Sequence, residues 1–431
     1  MAELFTEYYV NLLTDLLNID TTTPMETGVA GHHEYALKRY AEAASHLGFK
    51  PVYFAPPMEE DILRSEIPGA VKEMYAKMGD AFLSSQPNLV MELGYSHERE
   101  ATIMFNFHID TVEGYGMTSY RNESFFGRGA VDMKGPAVAL LAGLQAALEE
   151  APSLTGNMKV IIQAVSGEEG GAMGVYGTKL LCERGYVGAL NVFIEPTERL
   201  FFDHSTTSMT AQITVDGNDS TDDAPAVGHN ATLVLGFLAQ FMTKALSKRL
   251  NNTDAKMCLS GLHTGRMHNK VYGSGVLKWN FAYSSMEQHN LIEKLVEDSY
   301  SEAMKAFVLQ FADVPDAAKT VREIDSICTL TWVKKELPVL NNKNEAKRAL
   351  LEESGLKLLP GHMQSKAFTC DAMWAQGDGM YTVVYGPGSL EINNAHGKNE
   401  YIEKAELEKF SMDIKNLILH VNEKTKKRVL K

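Results

Sequence analysis

Cysteine is scarce in this chain: Cys182, Cys258, Cys328 and Cys370 are the four among 431 residues, and none forms a CxxC pair. That argues against a thiolate zinc cluster and a disulfide framework, and it points to a reducing compartment. Positive charge is also short. The 41 Lys and Arg stand against 55 Asp and Glu, a formal net charge of −14, so nucleic acid is not an expected partner. The one basic cluster, Lys424, Lys426, Lys427, Arg428 and Lys431, reads as a solvated helix end. No apolar run is long enough to span a membrane, so no membrane partner is expected. There is no Walker lysine loop, and Gly127-Arg128-Gly129 lacks the dinucleotide-binding spacing. Ser166-Gly167 precedes acids and lacks a nucleophile elbow, so serine and nucleotide chemistry are weak options.

What is present is an ordinary globular composition, 45% hydrophobic and 22% charged, in a chain long enough for two domains. Leu4, Phe5, Tyr8, Leu12 and Leu16 recur at helical spacing among acids. The N-terminus therefore reads as an amphipathic helix and not a leader, and the cytoplasm is the expected location.

The apolar pattern predicts helices over 3–18 and 33–47 and strands near 50–54 and 88–93. Between those strands lies an excursion, 55–86, that is either a surface insertion or a wall of the substrate pocket. Strands follow at Ala101–Phe107, Lys159–Val165 and Leu190–Ile194, with helices at 136–150 and near 174–184. Such alternation indicates a mostly parallel sheet covered on both faces, with ligands at the strand C-terminal ends. After Phe202 the texture changes. Strands at 207–215, 256–263, 275–283 and 324–333 and helices at 226–248 and 286–311 suggest a small α+β domain with an antiparallel sheet. A helix at 343–354 and the strand Tyr381–Tyr385 return to the first domain. The expected division is 1–203 with 335–431, and 204–334 inserted.

Acids and histidines cluster at the ends of these strands. His108-Ile109-Asp110 puts two side chains on one face. His108 can bind a metal ion while Asp110 accepts its other ring N–H. Asp132, in Gly129-Ala130-Val131-Asp132-Met133-Lys134-Gly135, is either a helix N-cap or a carboxylate bridging two ions; Lys134 reads as a solvated charge. Glu168-Glu169 is the most telling pair, because adjacent carboxylates at a buried strand end repel without a cation or proton. One can bind metal and the other can act as general base. Glu195 follows an apolar strand, and His396 follows the Gly386-Pro387-Gly388 loop. Two histidines and three acids suit two divalent ions: zinc first, with cobalt or manganese as alternatives.

The motifs F-H-I-D, G-R-G-A-V-D-M-K-G, S-G-E-E, I-E-P-T and A-H-G-K-N-E stand in this order along nearly the whole chain. In that combination the chain resembles the acetylornithine deacetylase and succinyl-diaminopimelate desuccinylase family, with the aminoacylases and carboxypeptidase G. The resemblance implies a parallel-sheet zinc-hydrolase domain with an inserted ferredoxin-like dimerisation or lid domain, and a homodimer. It implies His108 and Glu195 on one metal, Glu169 and His396 on the other, Asp132 between them, Glu168 as general base and Asp110 orienting His108. The implied reaction is hydrolysis of an amide in a small N-acylated amine, amino acid or peptide by a metal-activated water. A dipeptidase or carboxypeptidase, or a non-catalytic metal-binding dimer, are the alternatives. Departures fall on substrate recognition. Thr221 stands where the family has a histidine, Met373 where it has an arginine, and the strand Lys278–Tyr283 lacks its usual arginine. Candidate substrate contacts are His229, Asn269, Gly386 and Gly388.

Overall fold

The structure is a computed structural model describing residues 3–95, 98–114 and 116–429. The chain divides into two compact units, Met1–Ser205 with Leu340–Lys431, and Thr206–Val339. The second unit ends later than the expected residue 334 for a local reason. The Tyr283 hydroxyl donates to the Leu337 carbonyl at 2.7 Å, tying that segment to the inserted unit.

The first unit is built on six strands: β1 (Lys50–Ala55), β2 (Asn88–Leu93), β3 (Thr102–His108), β4 (Lys159–Val165), β5 (Leu190–Phe193) and β6 (Tyr381–Val384). Their order across the sheet is β1-β2-β4-β3-β5-β6. The last three pairings, β4 with β3, β3 with β5 and β5 with β6, are parallel; β1 and β2 form an antiparallel edge. Every residue of β3 is buried, as a central strand covered on both faces requires. Ile103, Phe105 and Phe107 face one core and Met104 faces another. Helices α1 (Glu7–Leu17), α2 (His33–His46), α3 (Lys134–Glu150) and α4 (Lys404–Val429) cover the first of these faces. At the end of α4, Lys424 pairs with Glu353 at 2.6 Å; Lys431 lies outside the described residues.

The excursion after β1 folds as three short helices. Ile62, Ile67, Val71 and Phe82 make a separate small core with Ala172, Val175, Tyr176 and Leu180. It therefore buttresses the chain just after Glu168-Glu169.

The second unit is a four-stranded antiparallel sheet in the order 256–263, 274–283, 207–216, 328–334. Along Thr207–Asp216 burial alternates, and Met209, Ala211, Ile213 and Val215 join Trp279, Phe281 and Tyr283 in a core of their own. The expected strand at 324–333 begins only at Cys328, because Ala318–Ile327 is a helix. Thr320, Ile324 and Ile327 are buried at helical spacing there, a pattern that outweighs the β-branched composition.

Candidate metal centre

Parallel strands deliver the candidate residues to one end of the sheet. His108 closes β3, Glu168-Glu169 follow β4, and Glu195 follows β5. Gly167 shapes the turn after β4: it sits at φ +84°, and a Cβ there would lie 2.1 Å from the Tyr176 ring. Asp132 precedes α3, and His396 lies on the loop after β6 at φ +63°.

These residues converge. Asp132 reaches both imidazoles, His108 Nε2 at 3.0 Å from one oxygen and His396 Nε2 at 3.1 Å from the other. His396 Nε2 also lies 3.1 Å from Glu169 Oε1. Three donor sets each fit within 4.8 Å: His108 with Glu168 and Glu169, His108 with Asp132 and Glu195, and Asp132 with Glu169 and His396. His108 and Asp132 are buried, whereas the His396 side chain is 50% exposed.

The charges are out of balance in a way a cation would correct. Burial pushes the Glu168 carboxyl well above the usual carboxylate range, and the Glu169 charge adds to it. Burial does the same to Glu195, and raises Glu169 against the hydrogen bond from His396. Burial would lower His108, but its bond to Asp132 and the surrounding acids hold it well above the ordinary imidazole value. His396 is pushed up to about 10 by its bonds to Asp132 and Glu169. Burial would raise Asp132, and the two imidazole bonds hold it well below its usual range instead. Two nitrogen donors among four crowded carboxylates fit a pair of divalent ions.

Several expectations change in detail. Asp110 does not accept the His108 ring N–H through its carboxylate. The ring Nδ1–H donates to the Asp110 backbone carbonyl at 2.8 Å, and the nearer carboxylate oxygen is 3.8 Å away. That carboxylate instead accepts the backbone N–H groups of Glu169 at 3.0 Å and Glu168 at 3.4 Å. Lys134 is no solvated charge: it is buried and donates to the Ile19 carbonyl at 2.8 Å. His229, expected as a substrate contact, is buried. Its Nδ1 accepts from the Asn218 N–H at 2.8 Å and its Nε2 faces Glu323 at 3.1 Å, so both ring nitrogens are engaged inside the second unit. Asn269 lies on an exposed turn of that unit. Gly386 and Gly388 spend their carbonyls on the Arg199 and Glu198 N–H groups at 2.9 and 2.7 Å, which shapes the Glu195-Pro196-Thr197 loop. Thr221 pairs with Lys270 in a short ladder, and Met373 is buried.

Arg128 and Glu400 were assigned no role from sequence, although both lie inside the recognised motifs. They form a buried ion pair at 2.7 Å. The available signal was one opposite charge in each of two motifs, Arg128 four residues before Asp132 and Glu400 four residues after His396.

A family model described as peptidase family M20/M25/M40 matches residues 104–419, a span containing every candidate ligand. A probable succinyl-diaminopimelate desuccinylase from Staphylococcus aureus is 22% identical, covering 74% of this chain and 82% of the relative. The solved structure of a tripeptidase from the same organism superposes with a TM-score of 0.66 at 17% identity, covering 96% of this chain and 98% of that one. A Bacillus subtilis structure described as a dinuclear metal-binding peptidase of the M20 family gives a TM-score of 0.56 at 11% identity, covering 96% and 98%. Among the described residues no helix is long and apolar enough to cross a membrane. The span of the family match and its motif order make this chain a member of peptidase family M20/M25/M40, a hydrolase acting on C–N bonds.

Proposed function

We propose that the chain hydrolyses the amide bond of a small N-acylated amine, amino acid or peptide, using two divalent metal ions. The observation that carries this is Asp132, with one carboxylate oxygen on each of two imidazoles. In this reading His108 and Glu195 hold one ion, Glu169 and His396 the other, and Asp132 is shared. Histidine and carboxylate donors favour zinc, and cobalt or manganese accept the same set. Such ions, when bound, supply the Lewis acidity that polarises an amide carbonyl and acidifies a water.

The protein supplies the rest. Among the described residues no side-chain hydrogen bond occupies the Glu168 carboxylate. An oxygen of that group is free to take the proton of an attacking water and return it to the departing amine nitrogen. Asp110 fixes the backbone of the turn that aims it. A cavity of about 390 Å³, walled by Phe202, Phe368 and Leu390, borders Pro196–Glu198 just after Glu195. The buried Met373 offers no cation to a substrate carboxylate, so acylated amines belong in the substrate panel beside acylated amino acids and dipeptides.

The resemblance to the desuccinylase supports an N-acyl substrate and the likeness to the tripeptidase a peptide. The released product separates them: acetate, succinate or formate against a second amino acid. We also propose a homodimer through the edge strand Lys256–His263, which exposes Leu259 and Leu262. Sedimentation should give a dimer that Leu259→Lys dissociates; a wild-type monomer at all concentrations contradicts it.

The test of function is metal content followed by amine release from N-acetyl, N-succinyl, N-formyl and dipeptide substrates with zinc, cobalt and manganese. About two equivalents of metal and turnover abolished by a chelator are expected. Full turnover by metal-free protein would overturn the proposal.

A further inference from the structure

Behind the donor cluster lies a group that touches neither metal position but joins the segments forming them. Arg128 Nη1 donates to Glu400 Oε2 at 2.7 Å, with both side chains almost fully buried. The other Glu400 oxygen accepts the backbone N–H groups of Val131 at 3.0 Å and Asp132 at 3.2 Å. Arg128 Nη2 donates to two carbonyls, Glu113 at 3.0 Å and His396 at 3.1 Å. One ion pair therefore ties the chain beyond His108, the turn bearing Asp132 and the loop bearing His396. Space is reserved for it: Gly114 sits at φ +108°, and a Cβ there would lie 2.8 Å from Arg128 Nη2.

The two halves of the cluster lean on this pair unequally. His108 ends a fully buried central strand, and its ring is held by the Asp110 carbonyl. Glu195 follows the next strand, on a loop fixed by Gly386 and Gly388. His396 has neither support. It is on a loop, half exposed, in the left-handed region that non-glycine residues rarely adopt, with its carbonyl held by Arg128.

We infer that Arg128 and Glu400 are positioning residues for the His396 half of the centre, setting the affinity of the second metal position far more than that of the first, which this pair reaches only through the shared Asp132. A guanidinium is required because one fork must serve a carboxylate and two carbonyls in different directions. Glu400 is required because a carboxylate can accept the Asp132 N–H on one oxygen and the guanidinium on the other. The inference rests on the two-metal reading above.

The test is titration of metal-free protein with cobalt(II) alone, following its visible absorption and competing it against a chelating indicator. Wild type is compared with Arg128→Lys, which keeps the charge but cannot reach both carbonyls, and with the Arg128→Met/Glu400→Gln double variant, which removes both charges. Circular dichroism establishes that each is folded, and Arg128→Lys decides the matter should the double variant unfold. The first equivalent should bind within about threefold of wild type with an unchanged spectrum. The second should weaken by about 10- to 100-fold, the usual effect of losing a partner behind a metal ligand. Folded variants that bind both equivalents as wild type does, or weaken both alike, would overturn the inference. Wild type taking up fewer than two equivalents would overturn the two-metal reading itself, and is distinguishable because it needs no variant.

Discussion

At the scale of single residues, Asp110 shows how a sequence pattern can bring a carboxylate close to an imidazole and still give it the wrong partner. His-x-Asp at a strand end marked a metal-binding imidazole with a carboxylate behind it. The structure gives the imidazole a backbone carbonyl, and gives the carboxylate to two N–H groups of the Glu168-Glu169 turn. Alternation in a strand fixes which face a side chain takes but not which of two nearby acceptors a ring chooses. Asp110→Asn should therefore leave His108 in place and disturb the turn, since an amide offers its own N–H₂ to one of the two donors. A metal affinity lowered about 10- to 100-fold with the His108 tautomer unchanged by NMR is expected; a changed tautomer with intact affinity would contradict it. Arg128 and Glu400 stayed silent for a related reason. Their partners are backbone groups on segments far apart in sequence, and no local pattern announces such a bond. His108, Glu168-Glu169 and Glu195 were legible because each ends or follows an apolar strand, whereas Asp132 and His396, on a turn and a loop, stood out only through the order of the motifs.

At the scale of elements, the strands that carry these residues were legible because they are buried on both faces and so read as continuous apolar runs. The helix Ala318–Ile327 was not, since its apolar residues are few and Val and Ile among them suggest a strand. β3 carries most of the consequence. Phe105 is fully buried in the main core, and Phe105→Ala should cost about 3–5 kcal/mol in denaturant unfolding. A loss below about 1 kcal/mol would mean that the sheet centre is not packed as described.

The return of the chain to the first unit has its own fastening. Arg348 donates to both oxygens of the fully buried Asp203 carboxylate at 2.8 Å, and Tyr381 adds a bond at 2.9 Å. Burial would raise the Asp203 carboxyl, and the bonds from His204, Arg348 and Tyr381 hold it well below its ordinary value. A carboxyl depressed in the folded state contributes fully above the usual carboxylate range and loses that contribution as pH falls through its folded value. Arg348→Met leaves the buried charge unmatched. It should lower stability by about 3 kcal/mol near neutral pH and move acid unfolding to higher pH; thermal melts across pH check both.

At the scale of the whole molecule, the inserted unit has a separate core, and it enters and leaves on neighbouring strands, Thr210 pairing with Lys334. That adjacency lets 134 residues be inserted with little demand on the host. The segment 206–339 expressed alone should unfold in one cooperative transition, and Trp279→Ala should abolish it. A segment without cooperative unfolding would show that its core depends on the first unit. The change of texture after Phe202 made the insertion legible, while its last residues were hidden by a tether only the fold reveals.

The central claim is that Glu168 moves the proton in a centre whose metals are held by other residues. Its most direct test is turnover and cobalt(II) stoichiometry measured side by side for wild type and Glu168→Gln. Two equivalents in both proteins, with kcat lowered at least about 100-fold in the variant, is the predicted result. Equal turnover with two metals bound would contradict it.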